Sequence, residues 1–364
     1  MDCKPTVTML AVVLVFAVMN TLSKMAFNQG MHTTVLIILR QLTATIFLAP
    51  IAFFRERKTR PKMTTEIFLY LFFSALLGAS LTQWLFFLGL RYTSATFACA
   101  FINMTPMFTF LMALPFKLEK LDVATGSGAA KLVGTAVGMA GAMVLALYQG
   151  PSLINNPPPS SSSSSPATVA ELAAAAHGGS GGGEHRWVVG SAALVGGSVS
   201  WSLWFILQSK IGNKYPALYS GMSWMFLLSF LQMAAVGVAT EKMSLHVWMA
   251  TTKLQIVTVL FVGIMGSGLG FLAMSWCIEQ RGPVFTTAFM PLVQIIAAGI
   301  CVVALHEQLH LGSVVGSVLV VVGLYFVLWG KSHEARCKAR APPLSDSKLA
   351  LEEKTEHDSR IQTV

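Results

Sequence analysis

The long stretches without charge constrain this chain more than any other feature. Nine stretches contain no Asp, Glu, Lys or Arg, and a tenth, Thr33 to Phe54, is interrupted only by Arg40. A transmembrane helix needs about 20 mostly apolar residues. The sequence therefore predicts an all-α membrane protein with ten transmembrane helices. The nine uncharged stretches are residues 5–23, 67–90, 92–116, 132–148, 187–209, 215–240, 254–278, 282–306 and 308–330.

The small number of charged residues excludes a soluble globular domain. They make up 11% of the chain, against about 25% in soluble proteins. In a soluble protein, the formal net charge of +9 would suggest a nucleic-acid partner. Here the charges lie between the apolar stretches, so we expect a lipid bilayer and a small-molecule substrate as partners, and no nucleic acid.

The distribution of basic residues predicts how the chain is oriented. Most of the 25 Lys and Arg residues follow an even-numbered span or lie in the C-terminal tail, and Arg55 to Lys62 after span two is the densest group. Loops rich in Lys and Arg stay on the cytosolic side. Both termini are therefore predicted to be cytosolic.

A central segment of different composition divides the spans into five and five. Residues 149–186 contain Pro157–Pro159, Ser160–Ser165 and Gly181–Gly183, which is typical of a flexible linker. The segment separates a first repeat, residues 1–148, from a second, residues 187–331. We expect this linker to be non-cytosolic, and the tail, residues 332–364, to be disordered and cytosolic.

The two halves also carry similar residues at corresponding places. Gly134 and Pro106 in the first half correspond to Gly316 and Pro291 in the second. Because five is odd, the second half enters the membrane in the opposite direction. The sequence thus predicts an inverted-topology repeat, which is common in secondary transporters. Pro106 and Pro291 are candidates for helix bends or hinges.

Polar and aromatic residues within the spans are candidates for a substrate cavity. A charge at membrane depth usually faces a cavity or a partner, and Arg40 is such a charge. Amides and tryptophans lie in both halves; interhelical hydrogen bonds of about 0.6 kcal/mol and packing in contact with lipid are the alternatives for them. The absence of deep carboxylates argues for facilitated rather than proton-coupled movement. The other candidates are Asn20, Gln83, Trp84, Asn103, Trp201, Trp204, Gln208 and Gln294.

One enzyme motif gives an alternative from a different class. His306-Glu307-Gln308-Leu309-His310 matches the pattern with which zinc proteases bind metal on one helix. The motif falls between spans nine and ten, where a turn is expected, and no third ligand is evident. An intramembrane zinc hydrolase is therefore the less favoured hypothesis. We expect a protein that is not an enzyme and has no metal or cofactor.

Several segments resemble one plant family. Glu56 to Thr64, Tyr92 to Ala98, Arg281 to Phe285 and Gly323 to Lys331 are similar to segments of the Walls-Are-Thin-related proteins. These are also called nodulin-21-like or UMAMIT transporters, and they belong to the EamA-like drug/metabolite transporter superfamily.

The resemblance implies two EamA repeats, alternating access between them, and transport of amino acids (by efflux or facilitated movement) or auxin-type metabolites. It leads us to expect the plasma membrane, with the vacuolar membrane as the alternative. Leu39, Trp84 and His306 depart from residues that are common in the family, and a change at position 84 would alter substrate choice if that position lines the cavity.

The predicted orientation can be tested with epitope tags in intact cells. Tags at both termini should be protected from protease added outside, whereas a tag within Ser160–Ser165 should be cleaved, because the basic residues keep the termini in the cytosol. Protection of the central tag would contradict the inverted repeat.

Overall fold

The computed structural model describes residues 4–93, 101, 103–116, 118, 126–148, 184–240, 252–305 and 311–340. Every regular element in these ranges is helical. The helices are α1 Lys4–Asn28, α2 Thr33–Glu56, α3 Thr65–Ala75, α4 Thr82–Tyr92, α5 Thr105–Ala113, α6 Gly126–Leu147, α7 Glu184–Lys214, α8 Leu218–Thr240, α9 Lys253–Phe261, α10 Phe271–Arg281, α11 Pro283–Ala288, α12 Met290–Leu305 and α13 Leu311–Arg340.

Two spans each contain a π-helical segment at a comparable place in their half. Leu76–Leu81 joins α3 to α4, and Val262–Gly270 joins α9 to α10. A π-helical turn widens the helix and is often found near functional sites. Both segments are rich in small residues, which let neighbouring helices approach closely.

The membrane-spanning character of the chain is clear in the described residues, although the count of ten is not reached there. Eight helices are long and apolar enough to cross a membrane. The two predicted spans not among them are residues 92–116 and 282–306. In the first, part of the span lies outside the described residues. In the second, the helix is interrupted at Phe289, between α11 and α12.

Two predicted boundaries differ from the structure. The last helix continues past Lys331 to Arg340, and α7 begins at Glu184, within the predicted linker. Beyond Lys331, Trp329 stacks on His333 and Lys131 forms an ion pair with Glu334. These contacts extend the helix into residues whose charge alone suggested a disordered tail. The rest of the linker, residues 149–183, and of the tail, residues 341–364, lie outside the described residues.

Local sequence explains where several helices begin and end. The Thr64 side chain caps α3 by accepting a hydrogen bond of 3.3 Å from the backbone N–H of Ile67. Gly282 ends α10 with φ of 86°, a conformation that favours glycine. The Glu56 carboxylate accepts the backbone N–H groups of Tyr219 and Ser220, at 3.0 and 2.7 Å, and so caps the start of α8.

The two halves are interleaved rather than placed side by side. The most extensive helix contacts, α6 with α13, α2 with α8 and α4 with α7, each join a helix of the first half to one of the second. Lipid tails are as apolar as leucine, so close packing must hold such helices together. The pair α6 and α13, here called the glycine seam, packs most closely. A methyl group on Gly134 would lie 2.7 Å from Gly323 O and Val327 N.

A large apolar cluster closes the end of the bundle at which α1 begins and α2 ends. Its members are buried side chains from both halves, and Phe271 lies among the rings of Phe16, Trp201, Trp204 and Phe226 at centroid distances of 5.2 to 6.3 Å. At the same end, Lys214 at the end of α7 forms an ion pair with Glu66 of α3. Apolar contacts in the interior and an ion pair at the surface therefore connect the halves at this end.

We predict that the glycine seam tolerates alanine at one position and not at its neighbours. Gly134→Ala and Gly141→Ala place a methyl group 2.7 and 2.5 Å from atoms of α13 and should lower stability by about 1–3 kcal/mol, the usual cost of overpacking. Gly138→Ala is the matched control in the same helix, because its methyl group would have only ordinary contacts at 3.8 Å. The measurement is the fraction of protein that stays monodisperse after heating in detergent. Equal loss in all three variants would show that close approach is not the reason for these glycines.

Candidate functional site

A cavity of about 250 Å³ lies between the two halves. It occupies the end of the bundle at which α1 ends and α2 begins, opposite the apolar cluster. Phe16 to Phe27 of α1, Thr33 to Arg40 of α2 and Thr82 to Phe86 of α4 supply the first half of its wall. Leu194 to Trp201 of α7 and Met290 to Gln294 at the start of α12 supply most of the second. Both halves therefore build one site.

Amide side chains bridge the two halves inside this cavity. The Asn103 side-chain amide donates a hydrogen bond of 2.9 Å to Oε1 of Gln294, and it lies 3.5 Å from the carbonyl oxygen of Ala142. Asn103 is buried, and Asn20 and Gln83 also line the wall. Amides both donate and accept hydrogen bonds, so this wall can bind polar groups of either kind.

Arg40 brings a positive charge to the same wall. The residue is only 9% exposed, and its Nε is buried without a hydrogen-bond partner. Arginine cannot be deprotonated in a protein, so this charge is permanent. The lining residues of the described structure include no Asp or Glu.

The tryptophan pair takes up two different positions. Trp201 lines the cavity, while Trp204 is fully buried behind it, with the two rings stacked at 4.9 Å. Trp204 donates a hydrogen bond to the sulfur of Met225 at 3.4 Å. The first π-helical segment makes room for it, since a methyl group on Gly78 would lie 2.5 Å from Cγ of Trp204. Trp204 thus supports Trp201 from the side of the apolar cluster.

The structure brings together six of the nine sequence-predicted cavity residues and leaves three elsewhere. Trp84 is 41% exposed and is not part of the wall. Gln208 is buried one helical turn beyond Trp204, with its Oε1 unpartnered. The six cavity-lining residues are Asn20, Arg40, Gln83, Asn103, Trp201 and Gln294.

The two hinge candidates lie together beside the glycine seam. Pro106 and Pro291 are each the second residue of a helix, α5 and α12, where a missing N–H costs no hydrogen bond. Both line a void of about 20 Å³ with Gly134 and Gly323. Helix breaks next to an unfilled space are suited to bending, and their role as hinges stays a prediction.

Sequence reasoning missed the hydroxyl groups and most of the aromatic rings of the wall. Ser198 donates to the carbonyl oxygens of Phe101 and Leu194, at 2.8 and 3.0 Å. Serine and phenylalanine are ordinary residues in apolar helices, so nothing in their spacing marks them. The missed residues are Ser23, Thr33, Thr82, Thr105 and Ser198, with the rings of Phe16, Phe27, Phe86 and Phe101.

Comparison with known proteins identifies the family of this chain. The model of the EamA-like transporter family matches residues 5–147 and again residues 188–329. The chain is similar to two WAT1-related proteins of Arabidopsis thaliana. One is 40% identical over 87% of this chain and 84% of the relative, and the other is 38% identical over 93% and 90%.

Two further likenesses agree with this result. Protein WALLS ARE THIN 1 of Arabidopsis thaliana is 33% identical over 96% of this chain and 87% of its own length. A solved crystal structure shares the fold with a TM-score of 0.64 over 92% of this chain and all of that one, at 16% identity.

The zinc-hydrolase hypothesis gains no support from these findings. His306, Glu307 and His310 lie outside the described residues, and the residues that are described hold no group of three or more His, Cys, Asp or Glu suited to a metal ion. The matching family is one of transporters rather than enzymes. This chain belongs to the EamA-like transporter family, as a WAT1-related protein, and is an integral multi-pass membrane transporter.

Proposed function

We propose that this transporter moves small organic solutes, amino acids or auxin-type metabolites, by alternating access between its two five-helix repeats. The observation that carries the proposal is the polar cavity to which both repeats contribute walls. Its volume of about 250 Å³ is just below the usual range for drug-sized ligands, about 300–1,000 Å³. That size suits a small metabolite.

The unequal closure of the two ends supports alternating access. The cavity lies at one end of the bundle, and the apolar cluster seals the other. With ten spans and cytosolic termini, as the basic residues predict, the sealed end faces the cytosol. Transfer to that side then requires the ring of Phe16 to separate from that of Phe271 and the contacts of Glu56 and Lys214 across the halves to break. We propose the plasma membrane as the location, with the vacuolar membrane as the alternative.

The test is solute flux through the purified full-length protein in proteoliposomes. A labelled panel should contain the proteinogenic amino acids and indole-3-acetate, with sugars and nucleosides as unrelated solutes. We expect saturable flux of at least one amino acid or of indole-3-acetate, without an imposed proton gradient. Flux of only sugars or nucleosides, or of nothing, would overturn the proposed substrate classes.

We predict that amides of the cavity wall determine apparent affinity. Gln83→Ala, Asn103→Ala and Gln294→Ala should each weaken it roughly ten- to hundredfold, because a hydrogen bond to a charged solute contributes about 1.5–3 kcal/mol. The measurement is apparent affinity of flux at matched protein content.

Ser229→Ala is the matched control for these variants. It removes an interhelical hydrogen bond, 3.1 Å from Ser80, that is buried away from the cavity. Such a bond contributes about 0.6 kcal/mol, so affinity should stay unchanged. If the cavity variants behave like this control, the amides serve packing and do not contact the solute.

A further inference from the structure

Arg40 holds a positive charge that no described group neutralises. Its side chain is nine-tenths buried in the cavity wall, with an unpartnered Nε, and the ion pairs of the described structure involve Lys131 and Lys214 instead. A buried charge without a partner is strongly unfavourable. A cavity wall with this charge favours an anionic group over a neutral or cationic one.

The position of Arg40 makes a purely structural role hard to assign. It lies seven residues after the first residue of α2, which is about 10 Å along the helix axis. Asn20 of α1 and Gln83 of α4 line the same cavity. Neither amide carries a charge, so neither offsets the guanidinium.

The sequence itself supplies no carboxylate at this depth. The uncharged stretches contain no Asp or Glu, including the residues of span four that the structure does not describe. Glu56 is the acidic residue of the same helix, and it caps α8 at the opposite end. Among the described lining residues, Arg40 thus carries the one formal charge, and amides, hydroxyls and aromatic rings make up the rest of the wall.

We propose that Arg40 binds the carboxylate of the transported solute, and that the cavity prefers a monoanion to the zwitterion or cation with the same carbon skeleton. Guanidinium and carboxylate match in shape and form two parallel hydrogen bonds. An added ammonium group meets a wall with no negative charge. The rings of Phe16, Phe27, Phe86 and Trp201 are available for the apolar part of the solute. This inference rests on the proposed transport function.

The test compares solutes that share a carbon skeleton and carry different charged groups. One set is 3-phenylpropionate, L-phenylalanine and L-phenylalaninamide, and a second is 4-methylpentanoate, L-leucine and L-leucinamide. At pH 6 the carboxylates are ionised and the amines are protonated, so each set contains an anion, a zwitterion and a cation. Binding is measured as the ligand-induced rise in the unfolding temperature of the purified full-length protein. In both sets we expect the anion to bind best and the cation to bind least.

Variants at position 40 link this preference to the arginine. Arg40→Gln should weaken binding of 3-phenylpropionate about ten- to hundredfold and abolish the order anion, zwitterion, cation. Arg40→Lys keeps the charge and should fall between the two. Arg57→Gln is the matched control, because it removes a positive charge just beyond the end of the same helix, where Arg57 lies over Phe53 and away from the cavity.

A readout without ligand separates binding from folding. If Arg40 serves the solute, Arg40→Gln should unfold at the same or a higher temperature than the unsubstituted protein, since a buried unpaired charge is lost. Loss of folding in Arg40→Gln with recovery in Arg40→Lys would assign Arg40 a structural role and overturn the inference.

The remaining outcomes are equally decisive. If L-phenylalaninamide and L-leucinamide bind as strongly as 3-phenylpropionate and 4-methylpentanoate, or if neither carboxylate binds, the carboxylate site is overturned. In that case saturable flux through proteoliposomes would leave the transport function intact. Absence of any flux would overturn the transport function itself.

Discussion

The hydrocarbon interior of the bilayer offers no hydrogen bonds, and the rest of this structure depends on that constraint. Backbone groups within it must pair inside their own segment, so the described chain is helical throughout. Helices in lipid gain little from apolar burial and must pack closely or bond across their faces. The glycine seam provides close packing, and the hydrogen bond between Asn103 and Gln294 connects helices of the two halves.

The same constraint makes each polar group at depth meaningful. Arg40 is tolerated because it faces a cavity instead of lipid. In the same wall, the Ser198 hydroxyl donates to the carbonyl oxygens of Phe101 and Leu194, so it costs little to bury. Amides have spare donors and acceptors, so a cavity wall that contains them can meet polar groups of either kind. A charged side chain, amides and aromatic rings therefore line one small cavity.

The fold was largely readable from the sequence because its main signal is composition. Uncharged stretches mark spans, and Gly134 and Gly316 mark close helix contacts in both halves. The two π-helical segments were not predicted, since Leu76–Leu81 and Val262–Gly270 have the same apolar composition as ordinary helix. The continuation of α13 to Arg340 was missed because it depends on contacts of His333 and Glu334 with residues of the bundle.

The candidate site was predicted in part, and the errors have a common cause. Sequence spacing placed Trp201, Trp204 and Gln208 on one helix face, and in the structure only Trp201 reaches the cavity wall. A helix face is longer than the cavity, so residues one or two turns farther along it lie within the apolar cluster. Depth along the helix axis, which sequence spacing does not give, decides which member of such a row reaches the cavity wall.

The interleaving of the halves has a mechanical consequence. If each half moved as a rigid lobe, every one of its large contacts with the other would have to open at once, including α6 against α13, where backbone lies against backbone. Along the glycines of the seam the packing depends on this close approach of the two backbones, and a separation would lose it. It is better suited to stay fixed while other helices move relative to it. The candidates for movement are α5 and α12, whose second residues, Pro106 and Pro291, lie beside the void.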